Sequence, residues 1–404
     1  MDLPQAVIAR WKRREIREGR IAASQDPDTS DLCRSEIEQL RGQRPSIDRD
    51  ASLALWLEHA TRNDADRRDA LEEAADLLTR ATVIAERRDQ YDGLDDLRRW
   101  RRRTCYLRDC ATAPMPEAAA TEEVPRLEKD ASAAAVAAFL ARGEPVLVEG
   151  GADACVAARG AWAPAALAAS LGAKSAPLKA ADAPSSGESW AGLGTKGQLP
   201  LGAFLERPDE GLYLHDWSLP RNAPEALLDE LRTPRWLRGD LLRRCGDDVP
   251  YAGAWPSLFV GAPGTRSTCH VDSGSLHFAM ALVHGGAKKW RVWRREDAAF
   301  LYPRFAVSAD DVLFDAARAG AAQPRWVVCQ KPGDIVFVPS DCPHAVDNDG
   351  VTVGIATNFV DGSNVDAVAA SLADAGDAAS LRLRQRLLAL ADEGEDVPAK
   401  RARV

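Results

Sequence analysis

The sequence predicts an α+β protein in which a small closed or double-sheet β-barrel is preceded and followed by helices. Three observations carry this. Residues 1–112 interleave Arg with Asp and Glu and repeat apolar positions at helical spacing. Residues 134–362 hold short apolar runs separated by Gly, Pro and Asp turns, and residues 363–394 return to helical periodicity.

Taken in order, Trp11-Lys12-Arg13-Arg14-Glu15-Ile16-Arg17 and Asp66-Arg67-Arg68-Asp69-Ala70-Leu71 open amphipathic segments of a small helical bundle. Arg98-Arg99-Trp100-Arg101-Arg102-Arg103 is its one concentrated basic patch. An acidic partner or nucleic acid could dock there; the simpler reading is a helix face neutralised by nearby Asp and Glu. Residues 113–133, with Ala113-Pro114-Met115-Pro116-Glu117, read as a linker. Ser132 to Arg142 predicts a helix and Val146-Leu147-Val148 the first strand of the next domain. The Ala-, Ser- and Gly-rich stretch from Ala180 to Gly197 predicts a mobile loop. Leu276 to Val283 is a strand, His284 to Trp293 reads as a turn and returning strand, and Ala345 to Gly350 reads as a tight polar turn before the strand Val351 to Phe359. Leu381, Leu383, Leu387 and Leu390 mark C-terminal helices, and residues 395–404 form a basic tail weakly like a nuclear-import signal.

His270-Val271-Asp272 is the feature with most chemistry. On a strand, residues i and i+2 share a face, so the imidazole and the carboxylate reach one point, and His344, in Pro339-Ser340-Asp341-Cys342-Pro343-His344, is the candidate third ligand. Two histidines and one carboxylate on one face of an octahedral metal leave three open positions, the arrangement of non-haem Fe(II) oxygenases.

Several ordered patterns resemble the JmjC and cupin-like 2-oxoglutarate oxygenases, especially their small hydroxylase branch. Glu144 to Gly151 looks like the family's first strand, and Leu212-Tyr213-Leu214-His215-Asp216-Trp217 resembles the segment ahead of the metal strand. Leu258 to Asp272 matches the strand, turn and metal motif, and Gly333-Asp334-Ile335-Val336-Phe337-Val338-Pro339 matches the second metal segment. The resemblance implies a double-stranded β-helix, a jelly roll of the cupin type, over residues 134–362. It makes His270, Asp272 and His344 the Fe(II) ligands and Lys288 the partner of the distal carboxylate of 2-oxoglutarate, with Lys289 as fallback, and it places Ser267 and Tyr213 on the same carboxylate. The chain departs from the pattern at two points. An asparagine expected on the strand before the lysine is replaced by apolar residues and His277, and a hydroxyl expected on the last strand falls at Ala356, beside Thr357. His277 reads as a packing residue, and His59, His215 and His284 read as structural histidines.

The implied activity is a dioxygenase that uses Fe(II), 2-oxoglutarate and O2 to hydroxylate a side chain of a protein substrate, with succinate and CO2 as coproducts. Alternatives within the family are a histone N-methyl-lysine demethylase and an RNA-base hydroxylase; one outside it is a non-oxygenase cupin that binds metal or a partner. A formal charge of −9 over 404 residues gives no global support for nucleic-acid binding. The 46% hydrophobic content is ample for a buried core, yet no apolar run is long enough to span a bilayer and Met1-Asp2-Leu3-Pro4-Gln5 lacks a leader's basic region. Eight cysteines without a Cys-x-x-Cys pair argue against structural zinc and point to a reducing, intracellular setting, cytoplasmic or nuclear. The resemblance also implies that the C-terminal helices pack on the barrel or make a homodimer.

Overall fold

In the computed structural model the described residues are 30–60, 64–87, 94–111, 120–181, 191–208, 211–246, 249–251, 253–304, 312–315 and 323–393. They divide into two compact units. One draws on residues 1–119 and 295–323, the other on 120–294 and 324–404.

The first unit contains the helices Ser30–Arg41, Ile47–Ala60, Asp64–Glu86 and Leu94–Cys110. Their apolar faces meet in a core that includes Leu53, Leu57, Leu78, Leu97 and Trp100. Arg103 of the basic patch makes a bidentate pair with the fully buried Glu58 at 2.8 and 2.7 Å, and Arg98 pairs with Glu86, so these two arginines of the patch are paired within the unit. The segment Trp11 to Arg17 and the basic tail lie outside the described residues.

The second unit is a mixed α+β assembly around a large sheet. Its strands are β1 (Glu122–Glu123), β2 (Arg126–Leu127), β3 (Val146–Val148), β4 (Ser175–Ala180), β5 (Gly194–Pro200), β6 (Tyr213–Ser218), β7 (Ser257–Gly261), β8 (Arg266–Val271) and β9 (His277–Val292). After β10 (Tyr302–Arg304) and β11 (Val312–Asp315), an antiparallel pair in the first unit, come β12 (Trp326–Gln330), β13 (Ile335–Val338) and β14 (His344–Phe359). The main path runs β2-β3-β13-β9-β14-β7-β6-β4-β5; β1 pairs with β12, β12 with β9, and β8 with β14.

Strand alternation divides the unit's apolar residues between two faces. Ala279, Ala281, Ile335, Phe337, Ile355 and Phe359 belong to one core, shared with Leu140, Leu167 and Leu201 of the helices Ala133–Ala141, Pro164–Leu171 and Leu201–Glu206. Phe278, Met280, Trp290, Val336, Val346 and Ala356 belong to the other, which lines the site described below. Because both faces are covered, the central strands are nearly continuous apolar runs. The helices Val365–Ala375 and Ala378–Asp392 are broken at Gly376 (φ 71°), and bury Leu372, Leu383 and Leu387 with Leu276 and Val360 at the ends of β9 and β14.

Three readings of the sequence are corrected. Residues 122–127, read as linker, form β1 and β2, which pair parallel with β12 and β3. Two-residue strands leave no periodicity to detect. The loop predicted over Ala180 to Gly197 is strand at both ends, in β4 and β5, and residues 182–190 lie outside the described set. Most importantly, the two predicted turns at His284 to Gly286 and at Ala345 to Gly350 are not chain reversals. β9 and β14 each run unbroken for 16 residues, and their pairing shifts register near Gly285 and Gly350. Turns and β-bulges draw on the same residues, because both need positive φ or close backbone approach. A Cβ on Gly285 (φ +100°) would lie 1.9 Å from the Val351 carbonyl oxygen.

Phe337, fully buried, packs edge-on to Trp236 and Phe359 at ring separations of 6.1 and 6.3 Å. Phe337→Ala is expected to lower stability by about 3–5 kcal/mol, measured as a shift of the urea midpoint of tryptophan fluorescence at unchanged slope.

Candidate metal centre and its pocket

The site begins with an irregularity in β8. Opposite β14, His270 faces His344 and Ser267 faces Val346, so three steps on one strand match two on the other. The extra residue is a bulge, and it turns Ser267 and His270 to the same side although they are three apart. Asp272 follows His270 at the end of β8, and β14 starts at His344. The nearest ligand atoms of His270, Asp272 and His344 all lie within 4.8 Å of one another.

The hydrogen bonds orient these atoms. His270 Nδ1 lies 2.7 Å from the Thr268 carbonyl oxygen and His344 Nδ1 3.1 Å from that of Cys342. A carbonyl can only accept, so each Nδ1 carries the hydrogen and each Nε2 turns a lone pair to the centre. Asp272 Oδ1 stands 3.5 Å from His270 Nε2 and 4.0 Å from His344 Nε2, while Oδ2 accepts the Asn358 side-chain amide at 3.0 Å. Burial, with the neighbouring His270, pushes the His344 pKa down to about 4, so its imidazole is neutral at physiological pH. Burial opposes ionisation of Asp272, but His270, His344 and Asn358 outweigh it and hold the carboxylate below its usual range. An ionised carboxylate and two imidazoles whose Nε2 atoms converge from one side are a donor set that fits a divalent transition metal such as Fe(II).

These groups open onto a pocket lined also by Tyr213, His215, Asp216, Ser267, Lys288 and Asn358. Lys288 is fully buried, and its Nζ donates to the Asn348 side-chain oxygen at 2.7 Å and the Tyr213 hydroxyl at 3.1 Å. Lys289, on the opposite face of β9, instead pairs with Asp349 at 2.7 Å with both side chains exposed. Alternation along β9 thus decides between the two lysines: Phe278, Met280, Lys288 and Trp290 share the inner face.

All six residues singled out in the sequence come together: His270, Asp272, His344, Lys288, Ser267 and Tyr213 line one pocket. His277 does not join them. Its Nδ1 accepts the Ser340 backbone N–H and its Nε2 meets the Ser363 hydroxyl, a packing role. His215, read as structural, does line the pocket, with Nε2 3.3 Å from the Ser267 hydroxyl; burial, with nearby Lys179, His270 and Lys288, keeps it neutral. Asn348 and Asn358 were missed. Each sits at even spacing from His344 on β14, but Asn348 lay inside the supposed turn, and attention to Ala356 passed over Asn358 two residues on. Thus the polar group that β14 supplies near the metal ligands is the Asn358 amide, and Ala356 packs against the apolar wall.

A buried two-histidine, one-carboxylate cluster on a β-sheet is a donor set of the kind that non-haem iron sites use. Comparison with known proteins finds similarity over part of the chain. Residues 318–359 match the JmjC domain, hydroxylase. The zebrafish (Danio rerio) 2-oxoglutarate and iron-dependent oxygenase JMJD4 is 29% identical over 167 residues, 39% of this chain and 38% of that protein. Rat (Rattus norvegicus) HSPB1-associated protein 1 is 31% identical over 114 residues, 26% of this chain and 23% of its own length. Arabidopsis thaliana arginine-specific demethylase JMJ22 is 26% identical over 175 residues, 41% and 33% of the two chains. Over these stretches the chain is similar to JmjC-domain proteins, among them relatives named as 2-oxoglutarate and iron-dependent oxygenases. Its matches span about two fifths of the length of the JMJD4 relatives.

His270→Ala and His344→Ala should each reduce Fe(II) affinity by at least about tenfold, since two donors replace three, with loss of a ligand expected to exceed the 10–100-fold typical of supporting partners. Calorimetric titration with Mn(II) as a redox-stable surrogate checks this. Asn358→Ala should weaken binding less than either histidine change.

Proposed function

We propose that the protein is an Fe(II)- and 2-oxoglutarate-dependent dioxygenase that hydroxylates a side chain of a protein substrate, with succinate and CO2 as coproducts, in a double-stranded β-helix of the cupin type. The observation that carries this reading is the fully buried Lys288 ammonium in the same pocket as the three convergent ligand atoms. A metal site alone would need no such cation. A dicarboxylate held at both ends, by metal and by lysine, accounts for the two together.

In this reading His270, Asp272 and His344 hold the iron. Bound iron, with 2-oxoglutarate and O2, supplies the oxidation of a substrate C–H bond to C–OH, with one oxygen atom entering the substrate and the other the succinate formed as CO2 is lost. Lys288 and the Tyr213 hydroxyl, 3.1 Å apart, bind the distal carboxylate, with Ser267 beside them. The side chains of Phe259, Phe278, Met280 and Trp290 keep water from the cosubstrate, which strengthens every charge interaction there. Asn358 orients Asp272 through its free oxygen.

The net charge of −9 and the pairing of Arg98 and Arg103 with Glu86 and Glu58 favour a protein over a nucleic acid as substrate. A second reading, N-methyl demethylation, is favoured by one observation, the similarity to the relative named an arginine-specific demethylase. The same pocket chemistry serves it, because hydroxylation of an N-methyl group leads to loss of formaldehyde. Among the described residues no helix is long and apolar enough to cross a membrane.

Anaerobic addition of 2-oxoglutarate to the Fe(II)-loaded protein should produce a visible metal-to-ligand charge-transfer band. In Lys288→Ala the concentration for half-maximal band is expected to rise about tenfold to a hundredfold, from loss of one charge-assisted contact, with iron affinity little changed. A folded, iron-loaded protein that shows no band would instead support a non-oxygenase cupin.

A further inference from the structure

Resting on the oxygenase reading above, we propose that Asn348 is a positioning residue for the cosubstrate: it holds the Lys288 ammonium through a neutral acceptor, so that the cation keeps its charge for the distal carboxylate. Lys288 and Asn348 are directly opposite each other in the β9–β14 pairing, on its inner face. The ammonium has three N–H donors. Two are taken, by Asn348 Oδ1 at 2.7 Å and the Tyr213 hydroxyl at 3.1 Å, and among the described residues no carboxylate lies within ion-pair distance of it.

The surrounding hydrogen bonds fix which end of the amide faces the lysine. Thr265 Oγ1 donates to the Ala262 carbonyl oxygen at 2.7 Å and so has only lone pairs left for Asn348, whose Nδ2 donates to it at 2.9 Å. That turns Oδ1 toward Lys288, where the Thr352 hydroxyl also donates to it at 2.9 Å. Room for the assembly comes from the backbone. A Cβ on Gly261 of β7 would lie 2.3 Å from Asn348 Nδ2, and one on Gly354 of β14 would lie 2.5 Å from Met280 Sδ and 3.5 Å from Lys288 Cε.

The chemistry of the acceptor is the informative part. If the only task at position 348 were to secure a buried lysine, a carboxylate of the same shape would do it better, since a buried cation without a counter-charge is costly. An amide aims the ammonium without neutralising it. The missing negative charge then arrives with the ligand, and the pocket gains a preference for a 2-oxo acid with a second carboxylate over one without.

The test uses the full chain, Fe(II)-loaded and anaerobic, titrated with 2-oxoglutarate and separately with 2-oxobutyrate, which lacks the distal carboxylate. Asn348→Asp is close to isosteric. It should weaken 2-oxoglutarate binding about tenfold to a hundredfold, the worth of one charge-assisted contact, while leaving 2-oxobutyrate binding, iron stoichiometry and melting temperature near wild type. The ratio of the two affinities is a readout that a merely structural role would not move. Unchanged 2-oxoglutarate affinity in folded Asn348→Asp, or equal weakening of both acids, overturns the assignment. Should that variant not fold, Asn348→Ala replaces it: by removing the neutral acceptor that aims Lys288 it should lower the same ratio several-fold, and an unchanged ratio overturns the proposal. Wild-type protein that binds iron but neither acid would overturn the oxygenase reading itself, a result distinct from a selective wild type whose variants stay selective.

Discussion

The pairing of β9 with β14 is the constraint on which the second unit depends. Both strands are 16 residues long, and they pair antiparallel from His277 opposite Phe359 to Val292 opposite His344. One edge of this ribbon carries β13 and β12; the other carries β7 and β8. Because side chains alternate, the register of this one pairing decides which residues reach the pocket. It sets Lys288 against Asn348, brings Trp290 beside His344, and turns Phe278, Met280, Ala356 and Asn358 inward. A slip of one residue would turn Lys288 and the apolar wall outward.

The departures from regular pairing are as consequential as the pairing itself. A bulge in β8 turns Ser267 and His270 to one side, and the register shifts near Gly285 and Gly350 let the long strands bend past one another without ending. Each costs ladder hydrogen bonds, and the β8 bulge falls beside the pocket. The neighbouring β6 follows the same rule: its pairing with β7 shifts between Leu214 and Trp217, where Asp216 adopts φ 54° and lines the pocket.

Electrostatically the pocket is divided. At one end an ionised Asp272 and two imidazoles face a common point; at the other stands a lysine whose partners are uncharged. Neutral His215 lies between them beside Ser267. Such a division suits a small molecule that chelates a metal at one end and carries a free carboxylate at the other. In the first unit, by contrast, the buried Arg103 and Glu58 balance each other's charge.

Much of the site was legible in the sequence because strand periodicity is local. The spacing of His270 and Asp272 placed both on one face, and the order of motifs around them brought in His344, Lys288, Ser267 and Tyr213. What the sequence could not separate was a turn from a bulge, since Gly285, Gly286 and Gly350 serve either, and that ambiguity hid Asn348 within a supposed reversal. It also could not tell a structural His215 from one lining the pocket. By itself the sequence determined the helical and strand segments and the chemistry of the metal ligands, through periodicity and residue type. Only the tertiary structure decided which neutral groups, Asn348, Asn358 and His215, complete the site, because those roles arise from hydrogen bonds and strand pairings between residues tens of positions apart, where local pattern carries no information.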